Sequence, residues 1–158
     1  LLTTFKTPSA ITQLRSSNSL PPPSPGGFLS LPFIRQTMGT RSAIGYLIPS
    51  GKIRASYCHY DGHPDHQMPI LKEHYNSYVL ARGLVIRGSM SSLRTNRDWQ
   101  GNEKAPGPLY HADRGDGEPP RYNATVASAM KWWRDQCDCE HLYIYMDDLG
   151  GWEHYRLT

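Results

Sequence analysis

Acidic residues are missing from the first 37 positions of this 158-residue chain, where Lys6, Arg15 and Arg35 are the charged side chains. The formal charge of +3 comes from that segment, because the rest carries 14 Lys and Arg (17 less these three) against all 14 Asp and Glu. A neutral body lacks the clustered Lys and Arg that phosphate contacts along a nucleic acid need, so nucleic acid is not an expected partner. Cysteine is scarce, with only Cys58, Cys137 and Cys139. An odd, thin set points to a reducing, cytosolic setting rather than a disulfide scaffold. No apolar run approaches the ~20 residues that a membrane-spanning helix requires, so no membrane role is expected. Internal repeats are also missing, and no complete catalytic signature is present.

The length suits one ordinary domain and is short for two. Residues 1–37 do not read as part of that domain. They include Leu20-Pro21-Pro22-Pro23-Ser24-Pro25-Gly26-Gly27 and hold six of the chain's 13 prolines. Such composition buries too little apolar surface to offset ordering entropy, so a disordered or extended arm is expected. Met38 reads as a natural start, which makes translated upstream sequence the first reading of the arm. A docking arm anchored by Phe28, Leu29, Leu31, Phe33 and Ile34 is the second, and a transit peptide the third.

From residue 38 onward, Gly45–Ile48 and Lys52–Tyr57 flank Pro49-Ser50-Gly51 and read as a strand hairpin. The stretch Tyr57-Cys58-His59-Tyr60-Asp61-Gly62-His63-Pro64-Asp65-His66 then turns the chain. Asp61-Gly62 is a turn dipeptide and Pro64 suits a first helical position. Helices are expected over 65–76 and over 77–87, the second capped by Ser77. Residues 89–108 are rich in Gly, Ser, Asn and Pro and read as a long loop, with a short strand at 109–111. Asn123 reads as the cap of a helix over 124–136 that turns Val126, Met130 and Trp133 to one side. His141–Met146 and Trp152–Leu157 read as a closing hairpin. Hairpins at both ends predict an α+β domain over 38–158, with an antiparallel sheet of about five strands and helices packed on one face. Ile44, Tyr46, Ile53, Leu71, Leu84, Val126, Met130, Leu142 and Ile144 are the expected core.

Met38-Gly39-Thr40-Arg41-Ser42, the segment Tyr57–Pro64, Leu71-Lys72-Glu73-His74-Tyr75, Tyr110-His111-Ala112-Asp113-Arg114-Gly115 and the final aromatic hairpin occur in an order that resembles a family of small bacteriophage and prophage proteins. Those proteins open Met-x-Thr-Arg-Ser and carry Tyr-x-His-x-Asp-Gly-Tyr-Pro. Here His63 replaces the usual tyrosine, and Pro69 interrupts the following helix. The resemblance covers residues 38–158, leaves the first 37 unmatched, and implies phage origin and fold without an activity.

The most suggestive chemistry is a doubled His-x-Asp, His59-Tyr60-Asp61 and His111-Ala112-Asp113. Residues two apart on a strand share a face, so each pair would set an imidazole beside a carboxylate. If the pairs meet, four N/O ligands would hold zinc or manganese and activate water, with Arg114 on a phosphate and His63 and His66 as further ligands. The architectural reading is favoured: Asp61 and Asp113 as turn caps, and His59 as an ordinary half-buried histidine. Cys137-x-Cys139-x-His141 lacks the second pair of a zinc finger. Ser42 and Ser56 lack a nucleophile elbow, and Trp132-Trp133 reads as core plus rim.

Two functions follow. The preferred one is a phage accessory protein without assigned catalysis or cofactor, acting by binding a phage or host protein or in an assembly, and able to form a homo-oligomer. Its expected location is the infected host cytoplasm or the virion. The alternative is a metal-dependent nuclease or phosphoesterase using His59, Asp61, His111, Asp113 and Arg114. For the arm, deletion of residues 1–37 should leave the melting temperature nearly unchanged. A loss of several degrees, equivalent to ~1 kcal/mol or more at this size, would make the arm part of the fold.

Overall fold

Polar side chains of the sheet bond the C-terminal carbonyls of two of the three helices, and at helix α2 (Tyr78–Ile86) they do so beside the left-handed Gly88, whose N–H donates to the Val85 carbonyl at 3.0 Å. Helix α2 begins at Ser77, whose hydroxyl accepts the Leu80 N–H. At its far end, the buried Tyr110 hydroxyl donates to the Leu84 carbonyl at 2.7 Å, and the Ser56 hydroxyl to the Val85 carbonyl at 2.8 Å. Helix α1 (Pro64–His74) starts on proline and is capped by His63, whose ring accepts the Asp65 N–H. The Trp152 indole N–H donates to the Tyr75 carbonyl just past its end, at 2.8 Å. Carbonyls at a helix end lack the regular intrahelical donors, and these side-chain bonds lock helix to sheet. Helix α3 (Val126–Cys137) opens on a reciprocal capping box between Thr125 and Ser128 and closes on Asp138 in the left-handed conformation.

The structure, a computed structural model, describes residues 39–97 and 103–158, and only the backbone of 94–97 and 103–106. Residues 1–37 and the arm expected there lie outside the described residues. The described part belongs to one compact unit. Its strands are β1 (Ser42–Leu47), β2 (Ile53–Cys58), β3 (Met90–Arg97), β4 (Glu103–Tyr110), β5 (Arg121–Asn123), β6 (His141–Met146) and β7 (Gly151–Arg156). They form one sheet in the order β4-β3-β2-β1-β6-β7, with β5 beside the first half of β2.

The α+β class stands, but the sheet is mixed and has seven strands where about five antiparallel ones are expected. Hairpins β1–β2 and β6–β7 are antiparallel, whereas β1 lies parallel to β6, and β2 meets β3 in parallel at Cys58 and Met90. Turn residues encode the pairing within a hairpin. They carry nothing about how distant hairpins join, and that is where the expectation failed. Strands β3 and β4 replace most of the loop expected at 89–108. This edge pair shifts register repeatedly, and its polar sequence is a strand through backbone pairing rather than propensity. The expected cap Asn123 instead pairs with Ile53 in β5, since the Thr125–Ser128 box satisfies the helix start.

Side chains alternate across the sheet, and both faces are covered. Ile44, Tyr46, Tyr143 and Tyr145 join Leu71 of α1 and Ala81, Leu84 and Val85 of α2 in one core. Ala43, Leu142, Ile144 and Met146 join Ala129 and Trp133 of α3 in another. The expected single covered face is therefore two. Of the expected core residues, Val126 and Met130 are only half-buried against the second cluster. Ile144 has no exposed surface, so Ile144→Ala should cost ~2–5 kcal/mol in a urea melt. A change under ~1 kcal/mol would mean that the α3 layer is loosely packed.

Candidate functional site

The ends of β2 and β4 meet at the start of β3. Cys58 pairs with Met90, Met90 pairs with Tyr110, and the next residues, His59 and His111, donate their N–H groups to the carbonyls of Met90 and Ser89, both at 3.0 Å. Two strand spacings, ~9–10 Å, therefore separate the two backbones. Cys58 and Tyr110 point into the α1–α2 core, so alternation sends Tyr57, His59 and His111 to the α3 side. All three line one open cleft of about 920 Å³ between the sheet and the C-terminal half of α3. Arg41, Arg114, Asp116, the segment Glu118–Tyr122, Trp132, Trp133, Cys137 and Asp138 also line it.

The segment at Glu118 is clamped against Ser89: the Ser89 N–H donates to the Glu118 carbonyl at 2.8 Å, and the Glu118 N–H to the Ser89 hydroxyl at 2.9 Å. Gly88 makes this approach possible, since it adopts φ +91° and a Cβ there would collide with the Glu118 carbonyl. Ser89 also bonds His111 Nδ1 at 3.0 Å, and the Tyr57 hydroxyl bonds His59 Nδ1 at 2.8 Å. Burial pushes the Tyr57 phenol up to about 12, so it stays a neutral partner. Both imidazoles are held below their ordinary 6.5, His59 by burial and then Arg41 and Arg114, His111 by burial and then Arg114. Asp116 works the other way on His111. The two rings are neutral at pH 7, and His111 is the one with a carboxylate favouring its proton.

Charge in the cleft is paired across its rim. Arg114 meets Asp116 at 2.7 Å, Arg41 meets Asp138 at 3.6 Å, and Arg121 lies over the Trp132 ring at 3.9 Å. Trp133, 3 % exposed, holds Trp132 edge-to-face with ring centroids 4.8 Å apart. The Trp133 indole N–H is buried without a hydrogen-bond partner among the described residues, a cost of ~1–3 kcal/mol that the fold carries under the cleft floor.

Of the residues singled out in the sequence, His59, His111 and Arg114 come together, and the two aspartates do not join them. Asp61 is exposed in the left-handed conformation (φ +58°), and the expected capping of the turn falls to His63 instead. Asp113 faces Arg87 in an ion pair of 2.9 Å. Neither lines the cleft. His63 packs against His141, whose Nδ1 lies 2.9 Å from His154 Nε2, and burial takes His141 down to about 4. The Nε2 of His66 is buried without a hydrogen-bond partner among the described residues. Among the described residues, no three His, Cys, Asp or Glu side chains are placed to hold a metal ion. Cys137 borders the cleft while Cys139 is in the core, so the Cys-x-Cys-x-His run is dispersed. Ser42 and Ser56 are buried and bond Gln67 and the Val85 carbonyl. Tyr57 and Arg41 were missed, although Tyr57, two residues before His59 on a strand, was legible as its same-face neighbour.

No protein-family model, curated protein or solved structure matches this chain. Among the described residues, no helix is long and apolar enough to cross a membrane.

For Asp61 the left-handed backbone, not a ligand role, sets the expected outcome. Asp61→Asn should leave stability unchanged, because asparagine tolerates this conformation, while Asp61→Val should cost ~1–2 kcal/mol in a urea melt. Equal stability of both variants would show that the turn relaxes at no cost.

Proposed function

We propose that the cleft is a phosphodiesterase site in which His59 is the general base and His111 the general acid. The observation that carries this is the presence of both imidazoles and Arg114 in one cleft. A phosphoryl group seated between the rings would have Arg41 and Arg114 in reach of its oxygens. Their ion pairs with Asp138 and Asp116 are exposed and therefore weak, and so give way to the stronger charge-assisted bonds that arginine makes with phosphate. In the reaction a water oxygen forms the new bond to phosphorus, the P–O ester bond breaks, His59 takes the water proton, and protonated His111 delivers one to the leaving oxygen. The bound phosphate's negative charge favours the imidazolium that His111 needs. The metal-assisted form of this chemistry, expected with zinc or manganese, would need Asp61 and Asp113 beside the histidines. Neither lines the cleft, which supports proton transfer by the histidines themselves. The proposed setting is a bacteriophage protein in the infected cell, on the strength of the motif order given above.

A second reading, an accessory protein that binds another protein or its own copy, draws on α2, where Val79 is 76 % exposed and Leu80 46 %. Sedimentation of a Leu80→Asp variant bears on self-association: an oligomer that dissociates in the variant would favour it.

The test of the first reading is hydrolysis of bis(4-nitrophenyl) phosphate in EDTA. His59→Gln and His111→Gln should each lower kcat/KM by ~10²–10⁴-fold at unchanged melting temperature, the usual share of acid–base catalysis. Both free imidazoles titrate below 6.5, and activity needs His59 neutral with His111 protonated. The kcat/KM profile should therefore peak below pH 6.5 and fall about tenfold per unit above it as His111 loses its proton. Absence of turnover, or variants as active as wild type, would sink the proposal. Activity that disappears in EDTA and returns with Mn²⁺ would move the chemistry to a metal.

A further inference from the structure

The cleft has a second half that the phosphoryl chemistry does not use. On the wall formed by α3, the Trp132 ring presents a face already occupied by a planar cation, the Arg121 guanidinium at 3.9 Å. Trp132 itself is fixed, because the buried Trp133 abuts it edge-on. Tyr122, 52 % exposed, stands beside this shelf with the Arg54 guanidinium 4.9 Å from its ring centre. Arg121 has no carboxylate partner among the described residues, so its place on the indole is held by stacking rather than by an ion pair. A flat, electron-rich ring system entering the cleft can take the same shelf, with Arg121 moving to its other face. The volume of about 920 Å³ accommodates such a group together with a sugar and a phosphoryl centre.

We infer that the substrates are small nucleoside phosphodiesters, with the base stacked on Trp132 under Arg121 and the phosphate between His59 and His111. This rests on the phosphodiesterase reading and adds to it the class of substrate. The charge balance decides the size. Residues 38–158 carry 14 basic and 14 acidic side chains. A long strand would have to be held by backbone phosphate contacts, and a neutral surface gains little from them. A dinucleotide or a cyclic mononucleotide needs only one phosphate site and one base shelf.

Calorimetric titration with inorganic phosphate, ribose 5-phosphate and adenosine 5′-monophosphate, all of them free of the scissile bond, separates the base from the phosphate. Adenosine 5′-monophosphate should bind about 5- to 150-fold more tightly than ribose 5-phosphate, the gain expected from one base–aromatic stack. Trp132→Ala should bring that ratio to near one, and Trp132→Phe should restore part of it. Hydrolysis of adenylyl-3′,5′-adenosine and of 2′,3′-cyclic adenosine monophosphate then tells which diester is accepted. A wild-type ratio of one, with ribose 5-phosphate bound and bis(4-nitrophenyl) phosphate still hydrolysed, would overturn the nucleoside assignment and leave the phosphodiesterase reading standing. No binding of any of the three ligands, with no hydrolysis, would overturn both. A single-stranded oligonucleotide that binds far more tightly than the mononucleotide, with steep salt dependence, would overturn the restriction to small diesters.

Discussion

Gln67 has no exposed surface, and its amide lies between Ser42 of β1 and Cys58 of β2, accepting from the first at 3.1 Å and donating to the second at 3.4 Å. Cys58 in turn donates to the Tyr60 carbonyl, and the Tyr143 hydroxyl of β6 donates to the Gly62 carbonyl at 2.7 Å. An amide without these partners would forfeit ~1–3 kcal/mol, so α1 can approach the sheet in only one register. Gly62 has the same stringency, because a Cβ there would come within 2.5 Å of the Thr40 carbonyl. The turn that starts at His59 is thereby fixed to three strands. Burial pushes the Cys58 thiol up to about 12, so it serves as a neutral member of this network rather than a nucleophile.

The cleft inherits its geometry from that constraint. With the end of β2 pinned, His59 projects from the opposite face of the sheet to Cys58, and β3 carries β4 alongside so that His111 follows suit. Tyr57 and Ser89 orient the two rings through hydrogen bonds at their Nδ1 atoms. The same strand ends put Arg41 close enough to lower the histidine at position 59, because Ser42 pairs with Cys58 across β1 and β2. Neutral imidazoles among arginines are a consequence of architecture, and that makes them sensitive to an arriving anion.

Two histidine groups illustrate how burial alone does not define a site. His141 Nδ1 and His154 Nε2 lie 2.9 Å apart with His63 alongside, yet none of the three lines the cleft at His59. They pack β6, β7 and the start of α1 together, and Tyr143 stacks on His154 with ring centroids 5.0 Å apart. His59 and His111 instead line the open cleft.

Local information was enough for the elements that end in a marked turn or cap. Pro49-Ser50-Gly51, Pro64, Ser77 and the aromatic and branched run His141–Met146 announced β1, β2, α1, α2 and β6 within a few residues, because turn, cap and strand preferences act locally. The clustering of polar groups in the Tyr57–His66 stretch and in His111-Ala112-Asp113-Arg114 was legible for the same reason: groups concentrated at a strand end are visible in one dimension. Which of them line one cleft was not. Asp61 and Asp113 look equivalent to their histidines in the sequence, yet a left-handed backbone removes one and Arg87 removes the other. The parallel pairing of β1 with β6, the polar strands β3 and β4, and the meeting of His59 with His111 are decided between residues far apart in the chain. Backbone ladders and buried hydrogen bonds choose them, and those depend on the partner strand rather than on the residues of either segment alone.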